Sequence, residues 1–167
     1  AWLNTLGTRE KPPNEQQVEV LRAIVNRCAR EAEEEHDDCV NSRAEEPLRA
    51  VIQGLPGVGK SEVIKLVRAF FEEVLGWTHG VEFVCLASQN TMAALIGGRT
   101  FHSWANLSIN KEAANTKKAK VRAKPDANPM YESTRLLHWI LIDEGSTASA
   151  EVLAALNSTL QASIRAK

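Results

Sequence analysis

Apolar residues recur along this chain in two rhythms, and the changes between them divide it into elements. From Glu15, the residues Val18, Leu21, Ile24, Val25 and Cys28 fall at helical spacing. They predict an amphipathic helix running to about Ala32, with Asn14 as its cap. Gly7 and Pro12-Pro13 predict an irregular entry segment over residues 1–13. The run Leu48-Arg49-Ala50-Val51-Ile52-Gln53 has the length and apolarity of a buried strand. Helical spacing returns with Val63, Leu66, Val67, Phe70 and Val74, predicting a helix from Glu62 to Leu75 that Gly76 to Gly80 terminates. Val81 to Leu86 predicts a second buried strand and completes a βαβ unit. Thr91 to Ile96 reads as a short helix stopped by Gly97-Gly98, and Met130 to Leu137 as another. His138 to Ile142 predicts a third buried strand, and Ser149 to Ile164 a helix with Val152, Leu153, Leu156 and Leu160 on one side. Strands alternating with helices predict a three-layer α/β fold with a parallel sheet, its strands near 48–53, 82–86 and 138–142.

Two polar stretches interrupt this pattern. Glu31 to Pro47 carries eight acidic residues and almost no apolar ones, so it predicts a surface extension of the helix followed by a loop, an acidic insertion at about 31–47. A basic loop at about 108–129 holds Lys111, Lys117, Lys118, Lys120, Arg122 and Lys124. It reads as a solvated insertion or as a source of salt-sensitive phosphate contacts. At 167 residues the length leads to the expectation of one domain with a real core. The net charge of −1 gives no global attraction to nucleic acid or a membrane, so such a partner must be met by a local patch. Three cysteines, Cys28, Cys39 and Cys85, lack a CxxC pair and argue against a disulfide framework. No run approaches a membrane span and no secretory signal is visible, so the chain reads as soluble and intracellular, with no membrane partner. It begins Ala1-Trp2 without an initiator Met, which reads as a fragment or a processed product.

Chemistry enters between the first predicted strand and the helix after it. Gly54-Leu55-Pro56-Gly57-Val58-Gly59-Lys60-Ser61 fits the pattern G-x-x-x-x-G-K-[ST] at every required position. Glycine there lets the backbone turn with positive φ and brings N–H groups close to a polyphosphate. Lys60 supplies a point charge for the β- and γ-phosphates, and the Ser61 hydroxyl suits Mg²⁺. The third strand ends in Asp143-Glu144. Asp143 suits the same Mg²⁺, directly or through water, and Glu144 suits polarisation of an attacking water. After the second strand, Arg99, Thr100, His102 and Ser103 cluster with Phe101 and Trp104 at the end of the sheet where open α/β folds place ligands. Hydroxyls, an imidazole and aromatic faces suit single-stranded nucleic acid. The alternative is a loop whose aromatics are core and whose His102 is structural.

Taken together, these segments resemble the Pif-type (petite integration frequency), RecD-like superfamily-1 DNA helicases, including the Helitron-type helicases. Asn14-Glu15-Gln16-Gln17 with Val20-Leu21 looks like that group's adenine-reading motif, with the reader at Gln17 and Gln16 as the fallback. Gly54 to Ser61 resembles its first motif, with Val58 where Thr is usual. Ala87 to Trp104 is similar to A-x-T-G-x-A-A-x-x-I-x-G-x-T-x-H-S, and Ile96 to Ser103 is its most family-specific part. Gln89-Asn90 stands where the family has Thr-Gly, and Met92 where it has Ala; Asn can take the left-handed backbone in place of Gly. Asp143-Glu144-Gly145-Ser146 resembles the D-E-x-S form of the second motif.

The resemblance implies a partial RecA-like helicase ATPase domain over 14–167. ATP would be bound by Gln17 and Gly54 to Ser61, Mg²⁺ by Ser61 and Asp143, and single-stranded DNA by Gln89, Asn90, Arg99, Thr100, His102 and Ser103. Lys60, Asp143 and Glu144 would be catalytic. It further implies roles in DNA repair, recombination or telomere and genome maintenance, in a nuclear or mitochondrial setting if the source is eukaryotic. The chain stops before the family's G-D-x-x-Q motif, its arginine fingers and its second lobe. The expectation is therefore a truncated sheet, weak Mg-ATP binding, slow hydrolysis at best and no unwinding alone. The motifs also admit another P-loop ATPase, such as a regulatory ATPase or nucleotide kinase, or a decayed transposon-derived binding module.

Overall fold

A computed structural model describes residues 2–36, 46–106 and 134–165. The basic loop, the acidic run from 37 to 45 and the first half of the short helix expected at 130–137 lie outside them. The chain divides into two compact units, Ala1–Phe70 and Phe71–Lys167.

In the first unit the entry segment is helical where its Gly and Pro content predicts irregular chain. It forms α1, Trp2–Thr5, and then a 3₁₀ turn, Leu6–Thr8. An apolar anchor overrides the breakers: Leu6 is buried, and Trp2 packs on Phe70 with ring centroids 5.2 Å apart. Helix α2, Glu15–His36, begins at its expected cap. The Asn14 side chain accepts from the Gln17 N–H at 2.9 Å, and the Gln17 side chain accepts from the Asn14 N–H at 2.9 Å, a reciprocal capping box. Leu21, Ile24 and Cys28 are buried along one stripe, and α2 continues as a helical extension into the acidic run. Arg27 is buried on the same helix and ion-paired to Glu31 at 2.7 Å. Helix α3, Lys60–Glu73, buries Val63, Val67 and Phe70 as its periodicity predicts, whereas Val74 lies past its end and is exposed.

The strand expected at 48–53 does not form. The segment is irregular, with Leu48, Val51 and Ile52 exposed, and it has no place in the sheet, so the expected βαβ unit lacks its first strand. β-propensity reflects fit to a half-buried surface beside other strands. Without a neighbouring ladder, an apolar run has no reason to extend.

The second unit holds a three-stranded parallel sheet in the order β2-β1-β3, formed by β1 (Phe83–Ala87), β2 (Arg99–Thr100) and β3 (Trp139–Asp143). The fold is thus mixed α/β with a parallel sheet, as a partial RecA-like lobe requires. β1 pairs with β3 along its whole length, from Phe83↔Trp139 to Ala87↔Asp143, and with β2 only at Leu86↔Arg99 and Ala87↔Thr100. All five β1 side chains are fully buried, which explains its unbroken apolar sequence. Val84 and Leu86 face a cluster with Phe101, Trp104 and Leu156, the last from α6, Ala150–Arg165. On the opposite face Phe83 meets Phe71 edge-on at 5.1 Å, and Phe71 also touches Trp77 and Trp139.

Between β1 and β2 run α4, Asn90–Leu95, and a tight return. Gly97 has φ +61°, and the Gly98 N–H donates to Ala93 O at 2.8 Å. A Cβ on Gly98 would collide with the carbonyl of Cys85, so only glycine lets this turn lie against β1. Asn90 has ordinary helical backbone as the first residue of α4, so the left-handed setting expected of it is not used. After β2, α5, Phe101–Trp104, is capped by the Thr100 hydroxyl, which accepts from the Ser103 N–H at 3.2 Å.

Two outcomes follow. Gly98→Ala should destabilise the fold by about 1–3 kcal/mol, the usual cost of overpacking, as read by denaturant titration. Burial, reinforced by Glu31, pushes the Cys28 thiol up from 9.0 to about 12. Its contribution to stability is therefore complete below about pH 9 and is lost as pH rises from there through 12. A thiol reagent at pH 8 should leave Cys28 unmodified until the chain is unfolded.

Candidate functional site

The phosphate loop is built from local constraints in the first unit. Gly57 and Gly59 have φ of +82° and +85°, backbone that residues with a Cβ rarely adopt. Gly59 is also the turn into α3, since its carbonyl accepts from the Val63 N–H at 3.2 Å. A Cβ there would fall 2.5 Å from the Gln17 amide nitrogen. That amide donates to the carbonyls of Val58 and Gly59 at 3.3 and 3.2 Å, so the capping-box partner of Asn14 also braces the loop. Leu55 and Val58 are exposed, and the Lys60 ammonium folds back to the carbonyls of Gly54 and Leu55 at 3.0 and 3.1 Å.

This arrangement suits a polyphosphate. A 14-residue helix points its N-terminus at the loop, a lysine sits at the loop's mouth, and Ser61 stands in the first turn. The ammonium's present acceptors are neutral carbonyls, which an anionic oxygen replaces at a gain.

In the second unit, the carboxyl ends of β1 and β3 are set side by side by the register Ala87↔Asp143. Asp143 is 3% exposed, and its carboxylate accepts from the Glu144 N–H at 3.1 Å. A nearly buried carboxylate at a strand end is an oxygen ligand of the kind a hard divalent cation takes. Glu144 is held in the left-handed region at φ 50°, ψ 40° and opens a 3₁₀ turn, Gly145–Thr147. A residue with a Cβ in that setting is uncommon and marks a constrained position.

Of the residues expected to meet DNA, Gln89, Asn90, Arg99 and Ser103 are exposed and Thr100 and His102 half-buried, all around the end of β1. Arg99 reaches Ser103 at 3.5 Å. The aromatic part of that reading is corrected: Phe101 and Trp104 are buried in the core and offer no face to a base. Beside His102 and Gln89 lies a hollow of about 280 Å³ floored by Phe101 and Val152. Its other walls are Ser88, Thr147 and Ser149, which the sequence pattern did not single out. Their signal was available, because each is a hydroxyl residue shortly after an apolar strand of the same parallel sheet.

The glycine-built loop at a helix N-terminus and the parallel sheet define a P-loop nucleotide-binding α/β protein. The chain belongs to the PIF1-like helicase family, whose model matches residues 14–167. No curated protein and no solved structure matches it. Membership in a helicase family implies use of ATP with Mg²⁺ and binding of DNA as class properties, and it removes the reading as a regulatory ATPase or nucleotide kinase. Among the described residues, no helix is long and apolar enough to cross a membrane.

If Gln17 braces the loop as its bonds indicate, Gln17→Ala should cost about 1 kcal/mol and raise hydrogen exchange at residues 58–60 without altering that of α6.

Proposed function

We propose that this chain is the nucleotide-binding part of an ATP-dependent DNA helicase. It binds Mg-ATP through Gly54 to Ser61 and single-stranded DNA through the segment from Gln89 to Ser103. In the full protein, hydrolysis is coupled to movement along the strand. The observation that carries the reading is the phosphate loop itself: two positive-φ glycines and a helix N-terminus behind Lys60, within a chain matched to the family over 14–167.

Each residue then has a role. Backbone N–H groups of Gly57, Val58 and Gly59 cradle phosphate oxygens, and Lys60 exchanges its two carbonyl acceptors for them. Ser61 and Asp143 are the ligands offered to Mg²⁺, which when bound neutralises charge developing on the phosphates. Glu144 orients and deprotonates the attacking water. Gln17 reads adenine by turning the amide that now braces the loop. Arg99, His102, Ser103, Gln89 and Asn90 hydrogen-bond strand phosphates and sugars, contacts that position a strand without reading its sequence. With the two best aromatics in the core, base stacking contributes little here.

An arginine finger accelerates this chemistry by about 10³–10⁵, and none of the motif residues is one. Without such a residue among the motifs, weak Mg-ATP binding, slow turnover and no unwinding are what this reading expects of the chain by itself. The full protein's work would lie in DNA repair, recombination or telomere and genome maintenance.

The test is titration of the chain with a fluorescent non-hydrolysable ATP analogue and Mg²⁺. Lys60→Ala should weaken binding about ten- to hundredfold, the worth of charge-assisted hydrogen bonds, while Glu144→Gln should still bind and lose turnover. Equal affinity in Lys60→Ala and wild type would sink the reading. For the strand, Arg99→Ala with His102→Ala should weaken binding of an oligo-dT at low salt and flatten its salt dependence.

A further inference from the structure

The hollow beside β1 has two polar walls that touch through one hydrogen bond. Ser88 Oγ and Thr147 Oγ1 lie 2.5 Å apart. Ser88 follows β1 directly and immediately precedes the segment read above as strand-binding. Thr147 closes the 3₁₀ turn that Glu144 begins. The Thr147 hydroxyl donates to the Glu144 carbonyl at 2.7 Å, and the Thr147 N–H donates to the same oxygen at 2.9 Å.

Proton accounting fixes the direction of this chain. A hydroxyl has one hydrogen to give. Thr147 gives its own to Glu144, so Ser88 must donate to Thr147. The Ser88 hydroxyl is thus the only donor in the relay that a ligand in the hollow can claim. Gln89, His102 and Ser149 line the same hollow and add donors around it. This donor-rich lining over an apolar floor suits a phosphate oxygen.

We propose that Ser88 and Thr147 form a switch between strand occupancy and Glu144. A backbone phosphate of single-stranded DNA in the hollow takes the Ser88 hydroxyl as its donor. Thr147 then loses its partner on the far wall, and the turn that holds Glu144 in its left-handed setting loosens. Thr147 is a positioning residue: it acts on Glu144 through the main chain. The inference rests on the strand-binding reading above, and its test separates the two.

An oligo-dT is titrated into the full 167-residue chain, with binding followed by fluorescence anisotropy and main-chain opening by hydrogen exchange of residues 144–148. In wild type, saturating oligomer should speed exchange there about fivefold, the equivalent of one ordinary hydrogen bond. Ser88→Ala should show the faster exchange without DNA and no further change with it. Thr147→Val should do the same, and Thr147→Ser, which keeps the hydroxyl, should restore the wild-type response. A merely structural contribution of Thr147 would not be rescued by the smaller serine. Oligomer binding with unchanged exchange at 144–148, or wild-type protection in Ser88→Ala, overturns the switch alone. Failure of the wild-type chain to bind the oligomer overturns the strand reading and the switch with it.

Discussion

The second unit depends on one requirement: β1 is buried on both faces, so the hydrogen-bonding groups along both of its edges must be satisfied inside the protein. β3 does this along one edge for all five residues. β2 serves the other edge at only two positions, which leaves the amino-terminal part of β1 to be covered by something else. The Cys85 N–H donates to His79 Nε2 at 3.1 Å, so an imidazole stands where a longer β2 would have supplied a carbonyl. Further along, Gly98 brings its backbone against the Cys85 carbonyl closely enough to exclude any side chain. β1 is thus sealed by two strands, a histidine and a glycine.

Full pairing of β1 with β3 has a chemical consequence. Because the strands are parallel and in register to the last residue, their carboxyl ends emerge together, and the residues after them are neighbours without being close in sequence. Ser88 and Glu144 are 56 positions apart, yet each is the first residue past its strand. The core beneath them is packed, with Phe101 and Val152 flooring the hollow and Leu156 clustered with Val84 and Leu86. A packed floor lets small hydroxyl groups at the rim hold defined positions, as a ligand site needs.

How much of this was legible in the sequence depended on how local each feature is. Helix α2 with its Asn14 cap, helix α3 and the positive-φ Gly57 and Gly59 follow from residues within a few positions of one another, and all form, α3 about two residues earlier than its periodicity predicts. β1 and β3 were legible because an uninterrupted apolar run between glycine and polar punctuation leaves little else to be. The two-residue β2 was not, since Arg99-Thr100 has no strand signal apart from its partner. The aromatics Phe101 and Trp104 could be assigned to core or ligand only by knowing which face of α5 meets Val84 and Leu86. The hollow lay beyond reach for the same reason: its two walls come from segments joined only by strand register.

The contrast between the phosphate loop and the run before it makes the same point from the other side. Leu48 to Gln53 has a strand's composition and no strand's structure, because a strand needs a second chain segment to pair with. The loop that follows needs none. Its shape comes from Gly57 and Gly59, from the start of α3 and from an amide on Gln17 that the α2 cap already holds in place. It therefore keeps its form with an irregular, exposed segment in front of it. The phosphate loop is locally encoded, whereas the hollow beside β1 exists only where β1, β2 and β3 have assembled. A substitution that loosens the sheet should accordingly remove the hollow beside β1 and leave the phosphate loop's own geometry in place.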